Sequence, residues 1–181
     1  MQLLAVMAVL LVGGPLTPGE ETAIRTAVLV AYFNELHGGT GIAFPDNRRP
    51  VVVSKKTTAP RAKSLTVRVS SPANSDAAAR FEVLKRTRIV DDLLERSRRP
   101  VRMARIPLQY VSGSTAQNEC GVQFDEKKYA DAVAVSRPGF SKDRSEALIY
   151  LEGVGFARAY YLRQAKTGWV VEWHVELWAC G

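Results

Sequence analysis

The segment near the end of the chain contains the side chains best suited to acid-base chemistry. His174 stands between Glu172 and Glu176, and a carboxylate beside an imidazole can orient that ring as a general base. A hairpin would bring Tyr161 opposite this segment, so the candidate catalytic set is His174, Glu172 and Tyr161. The alternative is an exposed histidine in a polar stripe, because the sequence places no serine nucleophile beside it.

A second group consists of three carboxylates, Asp91, Asp92 and Glu95, on a predicted helix. Asp91 and Glu95 share a helix face whereas Asp92 does not. Paired carboxylates can do acid-base work. The simpler interpretation is a solvated helix face that balances nearby arginines.

The third group is a basic stretch. Between Lys85 and Arg105 there are eight cations and three carboxylates. Such a cluster can bind phosphate groups or an anionic polymer. The predicted anion-binding residues are Arg96, Arg98, Arg99 and Arg102. The stretch has no interleaved aromatic residues, so base stacking is poorly served and we do not expect sequence-specific nucleic-acid binding. A solvated helix and loop is the alternative.

The whole chain has 181 residues and a net charge of +7, which favours anionic partners such as an envelope polymer or a membrane surface. No stretch reaches the roughly 18 apolar residues that span a bilayer. The sequence also shows no internal repeat.

The cysteines and histidines do not have metal-ligand spacing. In an exported protein, Cys120 could form a disulfide only with Cys180. A bridge that closes a loop of about 60 residues would add roughly 4 kcal/mol to the free energy of unfolding. Two unpaired thiols are the alternative. Gly38-Gly39-Thr40-Gly41 lacks the lysine of a phosphate-binding loop and follows a helix. We therefore expect no metal and no cofactor.

The elements that must position these residues start with a helix at Thr17-Pro18-Gly19-Glu20, which reads as a capping box. Its apolar stripe comprises Ile24, Val28, Leu29, Tyr32, Phe33 and Leu36. A second helix is predicted over residues 76–97, with its stripe broken at Arg88. Residues 65–70 alternate like a half-buried strand.

The C-terminal part predicts four strands in an antiparallel meander, over residues 131–137, 146–152, 156–164 and 169–178. In the last strand, the alternation puts Trp169, Val171, Trp173, Val175 and Leu177 on one inward face. A four-residue hairpin loop at 165–168 would pair Tyr160 with Trp173 and Tyr161 with Glu172. The order of helix first and sheet last predicts an α+β fold, with the N-terminal helix packed on a mainly antiparallel sheet.

The N-terminus carries an apolar run from Leu3 to Val12, followed by Gly13-Gly14-Pro15. Its length matches the apolar region of a secretory signal. No basic residue precedes it, so a first core helix or strand is the alternative. We expect a signal peptide at 1–18 and one α+β domain at 19–181.

A set of residues from 136 to 178 resembles a recurrent C-terminal pattern of small exported bacterial proteins without an assigned function. The matching positions are Ser136-Arg137-Pro138-Gly139-Phe140, Asp143, Ala147-Leu148-Ile149-Tyr150, Tyr160-Tyr161-Leu162, Gly168-Trp169 and Trp178. The resemblance implies a secreted or periplasmic protein and supplies no catalytic residues. The sequence thus predicts an exported, non-enzymatic binding or interaction module of the envelope. The alternative is a small hydrolase or small-molecule binder with a pocket near His174, Glu172 and Tyr161.

Overall fold

The computed structural model describes residues 17–36, 52–54, 56–68, 72–102, 109–111, 117–118, 121–122, 133–153 and 155–179. The helices in these ranges are α1 (Pro18–Leu36), a short 3-10 helix (Ala62–Leu65), α2 (Pro72–Leu84) and α3 (Arg88–Ser97). The strands are β1 (Val52–Ser54), β2 (Gln109–Val111), β3 (Gln117–Asn118), β4 (Gly121–Val122), β5 (Val133–Val135), β6 (Gly139–Phe140), β7 (Glu146–Gly153), β8 (Phe156–Ala165) and β9 (Gly168–Ala179).

Helix α1 begins where the capping pattern predicts. Pro18 is its first residue, and Thr17 Oγ1 accepts a hydrogen bond from the Glu20 N–H at 3.2 Å. This contact satisfies one of the amides that have no partner inside the first turn. The predicted stripe is buried at Ile24, Val28, Leu29, Tyr32 and Phe33.

The main sheet has the order β2-β1-β5-β7-β8-β9, with β6 pairing with β7. Strands β5, β7, β8 and β9 are successively antiparallel and form the predicted meander. At the other edge, β1 runs parallel to both β2 and β5. The α+β class, with an N-terminal helix on a mainly antiparallel sheet, is confirmed.

Both faces of the sheet are covered by helices. Strand β7 shows this directly, because Ala147, Ile149 and Leu151 contact the cluster that contains α1, whereas Leu148 and Tyr150 contact the cluster that contains α2 and α3. We call these the α1 face and the α2–α3 face. Alternation along a strand sends successive side chains to opposite faces. A strand between two helical layers is therefore apolar at nearly every position, as β7 is.

The pairing of β8 with β9 departs from the predicted register at Glu172. The pairs next to the turn follow the prediction, but a register shift leaves Glu172 without an opposite residue. Tyr161 then lies opposite Trp173, and Tyr160 lies opposite His174. The predicted pairs of Tyr160 with Trp173 and of Tyr161 with Glu172 are therefore wrong, because a β-bulge inserts one residue on one strand only.

The bulge also divides the aromatic strand between the two faces. Trp169 and Val171 pack on the α1 face, whereas Trp173, Val175 and Leu177 pack on the α2–α3 face. The prediction that all five share one face is wrong, because an extra residue reverses the alternation that follows it.

Two further expectations need correction. The helix predicted at 76–97 is two helices, since α2 ends at Leu84 and Thr87, in an extended conformation, precedes the start of α3 at Arg88. The break falls where the apolar stripe is interrupted. The strand predicted to start at Leu65 is absent there, because Leu65 ends the 3-10 helix and residues 66–68 adopt no regular secondary structure.

No helix in the described ranges is long and apolar enough to cross a membrane. Residues 1–16, which make up nearly all of the predicted signal peptide, lie outside the described residues, as do Cys120 and Cys180. The signal peptide and the disulfide stay predictions.

Candidate functional site

The connection from β5 to β6 is held in place by Ser136 and Gly139. The Ser136 hydroxyl donates to the Arg137 carbonyl at 2.9 Å and accepts from the Tyr150 N–H at 3.0 Å, so it fastens the connection to β7. Ser136 is fully buried. These bonds satisfy a hydroxyl and an amide that would otherwise be costly to bury.

Gly139 allows α3 to lie directly on β6. A Cβ at this position would stand 2.4 Å from the Ile89 carbonyl oxygen and 2.4 Å from the Leu93 nitrogen, both backbone atoms of α3. Any side chain there would push the helix away from the strand. The glycine therefore positions the Arg88, Asp92 and Arg96 stripe of α3 beside the residues that follow β6.

A buried carboxylate, Glu21, joins α1 to α3 and to the β5–β6 connection. Arg25 donates to Oε2 at 3.1 Å, and Arg137 donates from Nη2 to Oε1 at 2.6 Å and from Nε to Oε2 at 3.3 Å. Arg96 of α3 also donates to Oε1. We call Glu21, Arg25, Arg96 and Arg137 the Glu21 cluster. One carboxylate in this cluster meets three guanidinium groups.

Burial by itself raises the pKa of Glu21, because a charged carboxylate loses its hydration. The hydrogen bond and charge of Arg137, together with the charges of Arg96 and Arg25, act against burial. The net effect is a pKa below the ordinary value of 4.5. Glu21 is therefore ionised at neutral pH, and the cluster retains excess positive charge.

Beside this cluster lies a cleft of about 220 Å³, which we call the basic cleft. It is lined by Arg88, Asp92, Arg96, Phe140, Ser141, Lys142 and Arg144. Four of these side chains are cationic and one is a carboxylate. The local potential is therefore positive, and it adds to that of the adjacent Glu21 cluster.

Two lining residues are fixed by the protein itself. Asp92 Oδ2 accepts the Phe140 N–H at 2.9 Å and lies 4.0 Å from Arg96 Nε. Arg96 also donates to the Pro138 carbonyl at 2.9 Å, and its guanidinium lies 5.3 Å from the centre of the Phe140 ring. These contacts make Asp92 and Arg96 a rigid wall of the cleft.

The opposite wall is the turn that follows β6. Asp143 accepts hydrogen bonds from the Ser141 hydroxyl at 2.6 Å and from the Ser145 hydroxyl at 2.8 Å. These bonds, the Ser141 bond first, lower the pKa of Asp143 to about 2. Arg144 takes a left-handed conformation with φ of 60°, and its N–H donates to the Ser141 carbonyl at 3.1 Å. The turn thus holds Lys142 and Arg144 at the edge of the cleft.

The sequence-predicted anion-binding residues fall into two places. Arg96 belongs to the cleft, whereas Arg98, Arg99 and Arg102 are exposed at and after the end of α3. Lys56 is exposed directly opposite Arg102, at an isolated antiparallel bridge. We call Lys56, Arg98, Arg99 and Arg102 the basic rim.

The predicted carboxylate group does not form an acid-base pair. Asp92 is held by the Phe140 N–H, Glu95 pairs with Arg98 at 2.7 Å, and Asp91 is exposed. Each accords with the simpler interpretation of a helix surface that balances nearby cations.

His174 lies on the α1 face, where its Nδ1 is 3.2 Å from Glu35 Oε1 and its ring centre is 5.2 Å from that of Tyr160. Burial lowers its pKa; Glu35 opposes that effect, Arg158 reinforces it, and Glu176 opposes it. The net pKa lies below the ordinary 6.5, so the ring is neutral at neutral pH.

Tyr161 and Glu172 do not join His174. Tyr161 lies on the α2–α3 face, stacked on Trp173 with ring centres 5.0 Å apart. Glu172 pairs with Arg163 at 3.1 Å. Burial is the largest cause that raises the pKa of Tyr161, to about 12, so its hydroxyl stays protonated at neutral pH. The structure therefore separates the candidate catalytic set.

Sequence reasoning missed Glu21, Arg88, Lys142 and Arg144. An acidic residue in the first turn of a helix is ordinary, and it gave no sign of three arginine partners. Lys142 and Arg144 are far from Arg88 along the chain, and only the packing of α3 on β6 brings them together. The Gly139-Phe140 pair was visible in the sequence, but the sequence does not show that glycine is needed there because α3 lies directly against the strand.

Among the residues that the structure describes, no group of three His, Cys, Asp or Glu side chains could hold a metal ion. Comparison with family models, with curated proteins and with solved structures gives no match.

Proposed function

We propose that this chain is an exported bacterial protein, a non-enzymatic module that binds an anionic polymer of the cell envelope through the basic rim. The observation that carries the proposal is the exposed pair Lys56 and Arg102, which lie directly opposite each other. Like charges in this arrangement oppose folding. An anionic partner that lies across both side chains would remove that repulsion.

The other rim residues are also available to a partner. In the described part of the chain, Arg99 and Arg102 have no ion-pair partner, and Arg98 pairs with Glu95 while its side chain stays 75% exposed. Exposed pairs of this kind are worth about 0–1 kcal/mol. A polyanion can therefore displace Glu95 at little cost.

Export is proposed from the apolar run before residue 17 and from the cap of α1. Thr17 caps the helix with its own hydroxyl, so cleavage before Thr17, rather than after residue 18, would leave the helix start intact. Mass spectrometry of the exported chain should give a first residue between 15 and 23. Recovery of the exported protein with Met1 intact would contradict this part of the proposal.

The binding test is a salt titration with an anionic envelope polymer, such as a teichoic acid. Removal of two rim cations in Arg98→Ala/Arg99→Ala should weaken binding and lower the slope of log K against log salt by roughly one per cation. The matched control is Arg80→Ala/Lys166→Ala, which removes two exposed cations from α2 and from the β8–β9 turn. The control variant should keep most of its affinity.

Binding that responds neither to salt nor to the rim substitution would remove the proposal, as would equal losses in the rim and control variants. Vesicles of phosphatidylglycerol form a separate arm. Rim-dependent binding to vesicles, without binding to the polymer, would identify a membrane surface as the partner instead.

The hydrolase alternative gains no support from the geometry. A catalytic site needs polar groups that converge on one reacting atom. Tyr161 and His174 lie on opposite faces of the sheet, and each is occupied by an aromatic neighbour.

A further inference from the structure

We propose that the basic cleft between α3 and the turn after β6 is a binding site for a phosphate group. The phosphate is either free or carried by a larger molecule such as a lipid headgroup. This site is distinct from the basic rim, so the inference goes beyond the function proposed above and is tested with different residues.

The first argument is that two cations at the cleft have no partner in the described structure. Arg88 and Lys142 line the cleft and are exposed, and neither makes an ion pair or a side-chain hydrogen bond with any described residue. Two neighbouring cations, by contrast, are paired: Arg96 with Glu21 and Arg98 with Glu95. Cations left unpaired at a concave site are available to an anionic ligand.

The second argument is that the cleft is preorganised. On one side, Arg96 is held by Glu21 and by the Pro138 carbonyl, and Asp92 is held by the Phe140 N–H. These side chains are therefore already ordered before a ligand binds, and this lowers the conformational entropy that is lost on binding.

The opposite wall is equally constrained. Asp143 binds both flanking hydroxyls, Ser141 and Ser145, and the backbone N–H of Ser145 at 3.2 Å. The left-handed conformation of Arg144 is strained for a residue that has a side chain. The bonds within the turn keep this conformation, which presents Lys142 and Arg144 to the same cleft.

The third argument concerns size and charge. A volume of about 220 Å³ is below the roughly 300–1,000 Å³ of sites that enclose a drug-sized ligand. The cleft therefore suits one compact group rather than a whole cofactor. A phosphate monoester carries about −1.5 to −2 charges at neutral pH, against one for a carboxylate. The exposed cations Arg88 and Lys142, in the positive potential to which Arg96 and Arg144 also contribute, match the more highly charged group.

The chemistry of the donors points the same way. Arginine presents parallel N–H groups that match two phosphate oxygens, and lysine acts as a point charge on a flexible stem. Arg88 and Lys142 supply one of each. Among the described residues that line the cleft, only Phe140 is apolar, and Arg96 lies over its ring. The cleft therefore favours a polar anion.

The test uses the full chain and calorimetric titration with inorganic phosphate at fixed ionic strength. The variants are Lys142→Gln and Arg88→Gln, and the matched control is Lys166→Gln, an exposed lysine in the β8–β9 turn. Each cleft variant should weaken phosphate binding about tenfold, as expected for loss of one charge-assisted hydrogen bond. The control should bind as the wild type does. Arg96 is left unchanged because its loss would disturb the Glu21 cluster.

Acetate tests the ligand class, and vesicles test the source of the phosphate. Acetate should bind much more weakly than phosphate; equal affinity would overturn the assignment to phosphate. Binding to vesicles of phosphatidic acid in phosphatidylcholine that inorganic phosphate displaces and that depends on Lys142 would identify a lipid headgroup as the source. Phosphate binding without vesicle binding would identify a free or non-lipid phosphate.

Absence of phosphate binding by the wild type, or equal affinities in the cleft and control variants, would overturn the inference. The proposed function fails separately. The rim variant Arg98→Ala/Arg99→Ala should keep its affinity for phosphate while losing affinity for the polymer. Polymer binding without phosphate binding sinks only the cleft inference, and phosphate binding without polymer binding sinks only the rim proposal.

Discussion

Replacing Glu21 by Gln should destabilise the domain by about 3 kcal/mol at pH 7. Removal of one partner from a buried ion pair costs about 3–5 kcal/mol, because the other charge stays buried. The low end of that range applies, since the Arg96 and Arg137 side chains are 21% and 23% exposed and can regain some hydration. The Arg25 side chain is 4% exposed and cannot. Three kcal/mol is a large share of the roughly 5–15 kcal/mol that stabilises a typical domain.

The loss should depend on pH in a defined direction. The pKa of Glu21 is lower in the folded protein than its ordinary value of 4.5. Glu21 thus binds fewer protons in the folded state than in the unfolded state. The stabilisation by its ionised carboxylate is fully present above pH 4.5. That stabilisation disappears as the pH falls through the folded pKa. The difference between wild type and Glu21→Gln should be constant from pH 6 to 8 and shrink below pH 4.5.

Urea denaturation at several pH values measures this difference, with Glu20→Gln as the control. Glu20 precedes Glu21 in the first turn of α1. Its substitution removes the same charge, but no described arginine pairs with Glu20. The control should change stability by less than about 0.5 kcal/mol. A Glu21→Gln midpoint close to that of the control would refute the cluster as an anchor of α1. A loss that does not shrink in acid would refute the ionic explanation.

Two other substitutions test the packing. Gly139→Ala should lower the free energy of unfolding by about 1–3 kcal/mol, because the added Cβ meets backbone atoms of α3. In the control, Gly19→Ala, the atom nearest to the added Cβ is Thr17 Oγ1 at 3.9 Å. Thermal unfolding should therefore show no loss of stability in the control. Trp173→Ala should cost about 2–3 kcal/mol, below the roughly 3–5 kcal/mol of a fully buried tryptophan, because the side chain is half-buried on Tyr161. Val170→Ala, at an exposed position of the same strand, should be nearly neutral. Equal urea midpoints for these last two variants would contradict the packing of Trp173 on Tyr161.

Local signals in the sequence were sufficient for the elements whose cause is local. The cap at Thr17 depends on residues one turn away, and the stripe of α1 and the long meander strands depend on periodicity. The bulge at Glu172 has no such signal. It follows from stacking Trp173 on Tyr161 on one face while His174 contacts Tyr160 on the other. These contacts depend on how the strands pack in the folded sheet, and the alternation of apolar and polar residues along the strand could not reveal them.

The candidate site shows the same division. The sequence identifies the cations, but it does not show which of them are engaged by carboxylates within the fold. Arg96 and Arg98 are separated by one residue at the end of α3, yet Arg96 is fixed by a buried carboxylate and Arg98 projects into solvent beside Glu95. An arginine whose guanidinium is bound by Glu21 organises the fold and shapes a wall. Only cations outside such pairs can exchange water for a ligand at low cost. The net charge of the chain therefore overstates its capacity to bind anions, and among the described residues we propose the basic rim and the open side of the basic cleft as the places where anions bind.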